Sequence, residues 1–172
     1  IVCAALTQEA VLAFRRAERE GQCEKRYLAL LRGILVAPAT VRAALDTADR
    51  RQIRLLAPTD DSGRWTEFLP LHVWEDAASL PPELAEGSGA ISGPAGPFGE
   101  VGLSLAACRI RCGARHQIRA HAAALGHPLR GDDLYGPASA EPPAGAAAPA
   151  RFFSLHHGAL LLPGVACVLP PS

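Results

Sequence analysis

Between Cys112 and Gly136, in the run CGARHQIRAHAAALGHPLRGDDLYG, the chain places three histidines and three arginines close together and then closes on a glycine-bounded turn. Arginines clustered in this way can grip carboxylates or phosphates through a planar fork of N–H donors, and histidines bind metals or move protons near neutral pH. Arg115 and Arg119 are four apart, so they share a helix face if the helix already includes Arg115. Two cations so placed repel unless an anion or solvent separates them. The spacing leaves both readings open: an anionic partner, carboxylate or phosphate, or a solvated helix start.

A metal is the rival reading for so many histidines. His116 and His121 are five apart, which on a helix puts them about 140° out of line. They cannot share a metal while both stay helical. His127 lies beyond Gly126, and His156 and His157 alternate faces on a strand. Neither HExxH nor Cys-x-x-Cys occurs. Cys108 and Cys112 would share a strand face but supply only two ligands. No metal site is expected on these spacings.

These residues need elements to hold them. Leu103–Cys112 alternates and reads as a strand; Gly113 breaks it, and helix formers from His116 to Leu125 predict a helix of about three turns. Gly126 then marks its end, and Pro128 prevents continuation. Upstream, Ile1–Leu6 is apolar and β-compatible. Thr7 is placed to cap a helix from Gln8 to about Glu20, burying Val11, Leu12 and Phe14 with the arginines outward and Gly21 closing it. Arg26–Leu35 reads as a strand. Pro38 and Thr40 precede an expected short amphipathic helix to about Thr47, and Gln52–Leu56 and Thr66–Trp74 read as strands. Phe152–Leu162 and Val165–Leu169 predict a hairpin around Pro163-Gly164. The Pro- and Gly-rich segments 81–99 and 137–149 are expected to be insertions or linkers.

Seventeen Lys and Arg balance seventeen Asp and Glu among 172 residues, so any nucleic-acid contact must come from local patches. Arg15, Arg16, Arg19, Lys25, Arg26 and Arg32 form one basic stretch, and Arg109, Arg111, Arg115, Arg119 and Arg130 a second. Five cysteines without framework spacing fit reduced thiols inside a cell. No apolar run approaches membrane-span length, so no membrane association is expected. The chain lacks methionine and begins Ile1-Val2-Cys3-Ala4, which suggests a fragment or a processed product.

The run from Cys112 to Gly136 resembles the TGRTHQIRVHLAxxGHPLLGDxxYG signature of the RluA-type RNA pseudouridine synthases. EKRYLALLRG (Glu24–Gly33) resembles the family's KxYLALVxG strand, RFFSLHHGAL (Arg151–Leu160) its RLxLHAxxL segment, and Ile1–Ala10 the GLLLVAKTxEA that follows its active-site loop. The resemblance extends along essentially the whole chain, weakly between Leu55 and Gly99. It implies an α+β fold, a largely antiparallel mixed sheet with flanking helices, incomplete at the N-terminus. It also implies isomerisation of uridine to pseudouridine in RNA, on a base flipped into a pocket, without cofactor or metal. Arg119 corresponds to the arginine that pairs with the family's catalytic aspartate, and Tyr27 to the tyrosine lying against the target base. Leu155 matches the apolar pocket floor. Lys25, Arg115, His116 and Gln117, within the matching motifs, are the further residues expected at the substrate.

Two departures qualify this. The family's Gly-Arg-Thr is here Gly113-Ala114-Arg115, moving an arginine by one residue. The HRLDxxTSG aspartate loop would lie before Ile1, and no Asp in the chain stands in a matching context, so the chain alone is expected to be inactive. Asp132 and Asp133 are expected to serve the turn after Gly131. Two alternatives stand beside an active synthase: a non-catalytic relative that binds RNA through its arginines, and a small His/Asp hydrolase with Ser154 near His156 and His157. An intracellular monomer acting on rRNA or tRNA is expected, cytoplasmic first and organellar second.

Overall fold

The structure, a computed structural model, describes residues 3–49, 51–75, 79–81, 102–136 and 154–169. Helix α1 (Gln8–Arg19) leads into strand β1 (Glu24–Arg32). There follow β2 (Ala39–Val41), β3 (Ala43–Asp46), β4 (Arg54–Pro58), a 3₁₀ turn (Ser62–Arg64), β5 (Thr66–Trp74) and β6 (Leu103–Ile110). Helix α2 (Gln117–Ala124), β7 (Leu155–Leu162) and β8 (Val165–Val168) complete the order.

Six strands form one sheet in the order β2-β5-β6-β1-β7-β8, and β3 and β4 pair separately. Every described ladder is antiparallel, so the mixed α and β class is present without a described parallel pair. β1 pairs with β6 on one side and β7 on the other, and its consecutive Ala29, Leu30 and Leu31 are all buried because successive side chains enter opposite, covered faces of the sheet. On one face, Ala29 and Leu31 join Phe68, Ala106, Cys108 and Ile110 from the flanking strands, with Ile118 and Ala122 of α2 packed above them. Leu129 completes that cluster. Leu30 turns to the other face and packs with Leu80 and Leu103.

Several expectations need correction. Ala39–Val41 and Ala43–Asp46 are strands, not a helix. Ala and Leu accept a helix, but Leu45 packs with Ile53 and Ala120, and the period-two burial of β3 decides the outcome. Cys3–Leu6 is not a strand, and Leu6 is 96% exposed. In α1, Thr7 accepts a hydrogen bond from the Ala10 amide as expected, yet Leu12 is exposed and Ala17 is the buried residue. The strand before Gly113 stops at Ile110, so Cys112 leaves the face of Cys108 and its thiol donates to the Glu18 carbonyl at 3.0 Å. α2 has eight residues rather than three turns. The expected hairpin forms as β7 and β8, with Gly164 at φ +73° in its turn. Residues 1–2, 50, 76–78, 82–101, 137–153 and 170–172 lie outside the described part, and with them nearly all of both expected insertions.

Candidate active site

The start of α2 explains why the helix is short. His116 is its N-cap and sits at φ 55°, ψ 14°, in the left-handed region that a residue with a Cβ enters at a cost. Arg115 therefore lies outside the helix and does not share a face with Arg119. Its guanidinium instead donates to the Asp49 carbonyl at 2.6 Å. His116 Nδ1 lies 3.2 Å from the Tyr135 hydroxyl, which also accepts from the Ile53 amide at 2.8 Å. Burial pushes the His116 pKa down, and the charges of Arg119 and Arg115 act in the same direction. A neutral His116 can thus accept the Tyr135 proton at Nδ1.

Arg119 is held in the next turn. Its Nε reaches Asp132 Oδ2 at 2.7 Å and its Nη2 reaches Oδ1 at 2.6 Å, a two-pronged pair. The side chains are 12% and 0% exposed. Asp132 Oδ1 also accepts from the Leu134 and Tyr135 amides, the turn role expected of it. Burial alone would raise the Asp132 pKa; the Arg119 hydrogen bond, the two amides and the Arg119 charge together hold it below the ordinary carboxylate range. The Arg119 guanidinium carbon also lies 5.2 Å from the centre of the Tyr135 ring. The partner Asp132 and the supporting Tyr135 were not anticipated from sequence. Their one signal there is the GDDLYG turn, 13 residues beyond Arg119 for Asp132.

Tyr27 and Leu155 both pack, partly buried, against the core cluster that contains Ile118 and Ala122. The structure therefore brings two expected substrate residues to the sheet face that α2 covers. Burial raises the Tyr27 pKa, so its hydroxyl keeps its proton at neutral pH. Its ring stacks on His157, with centroids 4.4 Å apart and planes 14° from parallel. Lys25 lies on the same strand but pairs with Glu18 at 2.5 Å, its Nζ 5.5 Å from the Phe14 ring centre.

Gln117 is 2% exposed and its amide is committed inside the protein. It donates to the Trp65 carbonyl and the Thr66 hydroxyl and accepts from the Ala114 amide. His121 is fully buried beside it, with Nδ1 2.7 Å from Thr66 Oγ1 and Nε2 3.2 Å from the Ala43 carbonyl. A carbonyl only accepts, so Nε2 carries the ring proton and Nδ1 accepts from Thr66. His116 and His121 thus serve different partners. Among the described residues no three His, Cys, Asp or Glu side chains gather as a metal site requires.

Burial pushes the His121 pKa down, against the smaller opposing pull of the Ala43 carbonyl. A folded-state pKa below the unfolded one means that the unfolded chain takes up protons first as pH falls. Stability conferred by neutral His121 is complete above about pH 6.5 and declines below it. Urea midpoints should therefore fall between pH 7.5 and 5.5, and His121→Gln should flatten that fall. An equal fall in both proteins would remove His121 as its source.

A groove of about 400 Å³ is lined by Arg26, Thr40, Glu67, Phe68, Cys108 and Arg109 among others. Arg109 pairs there with Glu67 and with Glu24, so much of its charge is neutralised within the protein. It contains none of the residues expected at the substrate.

The fold that carries this site is the fold of pseudouridylate synthase domains. The human RNA pseudouridylate synthase domain containing 1 matches with a TM-score of 0.64 and 25% identity, over 97% of this chain and 62% of that one. The human RNA pseudouridylate synthase domain containing 4 matches with a TM-score of 0.55 and 13% identity, over 96% of this chain and 64% of that one. In sequence, 34 residues, 20% of this chain, are 59% identical to the uncharacterized RNA pseudouridine synthase YhcT of Bacillus subtilis (strain 168), of which they cover 11%. No family model matches. The chain thus spans less than two thirds of each of these solved chains.

Proposed function

We propose that this chain is the C-terminal portion of the catalytic domain of an RNA pseudouridine synthase of the RluA type, acting on rRNA or tRNA inside the cell, as a monomer without metal, cofactor or membrane. The observation that supports this most is the likeness to the human domain along 97% of the chain, with Tyr27 and Leu155 on the sheet face beneath α2. It favours an isomerase over the small hydrolase.

In the proposed reaction the N1–C1′ bond of a flipped uridine breaks and a C5–C1′ bond forms. The C5 proton leaves and N1 gains one, so the mass of the nucleoside is unchanged. Flipping is required because the reacting atoms are inaccessible in a stacked duplex. Tyr27 offers a ring face to the base and a protonated hydroxyl for proton transfer. Leu155 forms the apolar floor. The aspartate is supplied by sequence preceding Ile1, and Arg119 pairs with it.

The Arg119–Asp132 pair favours one second reading, a relative that binds RNA without catalysis, because Arg119 is already neutralised within this chain. An aspartate in an HRxD context shortly before Ile1 decides for the synthase, and its absence decides against. Both readings require RNA binding through arginines. Affinity for a single-stranded RNA should fall with salt at a log–log slope of about −0.7 per phosphate contacted. Salt-independent binding contradicts both.

A further inference from the structure

Tyr27 faces a histidine because of a fault in the sheet. Arg26 pairs with Ala159 across β1 and β7, and regular pairing would set Tyr27 opposite Gly158. The register shifts at that point, and Tyr27 pairs with His157 instead. A bulge beside a site commonly re-aims one side chain in this way. The glycine is not what forces it: a Cβ built at Gly158 meets only ordinary contacts, 3.7 Å or more away. His157 Nε2 lies 3.1 Å from the Ala159 carbonyl beyond the bulge, so Nε2 donates and the ring plane is fixed by its own strand. The Tyr27 ring lies against that plane at 4.4 Å and 14°. In the LHAxxL segment that Leu155–Leu160 resembles, an alanine stands where this chain has His157.

We propose that His157 is a positioning residue for Tyr27: it occupies one face of the tyrosine ring and so presents the opposite face, at a fixed tilt, to the flipped uracil. The site then binds the base as the outer layer of a three-ring stack. A tyrosine free to rotate loses entropy on binding a base, and one already stacked loses less. This rests on the assignment of Tyr27 to the target base.

The chain has two tyrosines, Tyr27 and Tyr135, so their ring NMR signals can be assigned and followed singly. The probe is a short oligouridylate, titrated into the protein and into His157→Ala, His157→Gln and His157→Phe. In the unsubstituted protein the Tyr27 signals carry the ring-current shift of His157 and move on adding the oligomer. In His157→Ala the ring-current shift is lost and the oligomer binds roughly fivefold more weakly, the size expected for losing one aromatic stack. His157→Phe restores both; His157→Gln, of similar size but not aromatic, restores neither. Should the alanine variant not fold, the Gln and Phe pair gives the same comparison. Tyr27 signals that respond to the oligomer with unchanged affinity in the Ala or Gln variant overturn the role of His157 alone. Tyr27 signals that ignore the oligomer in the unsubstituted protein overturn the assignment of Tyr27 and this proposal with it.

Discussion

Arg119→Ala is expected to destabilise the fold by about 3–5 kcal/mol, because it leaves the carboxylate of Asp132 buried without its cation. Asp132 is 0% exposed at its side chain and Arg119 12%, so solvent does little to screen the loss. Lost activity in that variant would therefore say nothing about chemistry. The double variant Arg119→Met, Asp132→Asn separates the two effects. It removes both charges, and the Asn oxygen can still accept from the Leu134 and Tyr135 amides that hold the turn. Most of the lost stability should return, measured by urea unfolding, while the same double variant made in the product of the whole reading frame stays without uridine isomerisation. Near-normal turnover in the double variant would reduce Arg119 to a structural residue. The pair also predicts an acid limb. Asp132 has a depressed pKa, so its contribution is complete above about pH 4 and is lost as pH falls further. The double variant should lack that part of the acid transition.

In the product of the whole reading frame that encodes this chain, Tyr27→Phe is expected to lower turnover by about two to four orders of magnitude, the range for removing a positioned proton donor or acceptor. It should leave the affinity for RNA nearly unchanged, because the ring and its stack on His157 remain. Tyr27→Ala should weaken binding as well, since the ring face is gone. Single-turnover rates set against binding constants distinguish the two variants. If Tyr27→Phe turns over normally, the hydroxyl has no part in proton transfer and the ring alone accounts for Tyr27.

Much of this arrangement was legible in the residues. The alternation of β6, the Thr7 cap and the Gly126 stop each state a local preference that the packing then respects. Gly126, at φ +87° just beyond α2, occupies a conformation that glycine enters freely. Legibility ended where partners distant in sequence decide. Ala43–Asp46 has helix-forming residues, but Leu45 packs on Ile53 and α2, and that contact selects a strand. Arg119 was recognisable from its motif. Its partner was not, because Asp132 has a sufficient local reason to be there in the turn. His157 was hidden for another reason. Which β7 residue faces Tyr27 depends on one shift in register, and strand alternation alone does not reveal a bulge.

The central claim is that this chain forms part of a site that isomerises uridine, and its chemistry offers a direct readout. Moving the glycosidic bond from N1 to C5 expels the hydrogen on C5. The product of the whole reading frame that encodes this chain, incubated with rRNA or tRNA carrying [5-³H]uridine, should release tritium to solvent while the mass of the unlabelled nucleoside stays the same. No release, from a protein shown in the same preparation to bind that RNA, would contradict the claim.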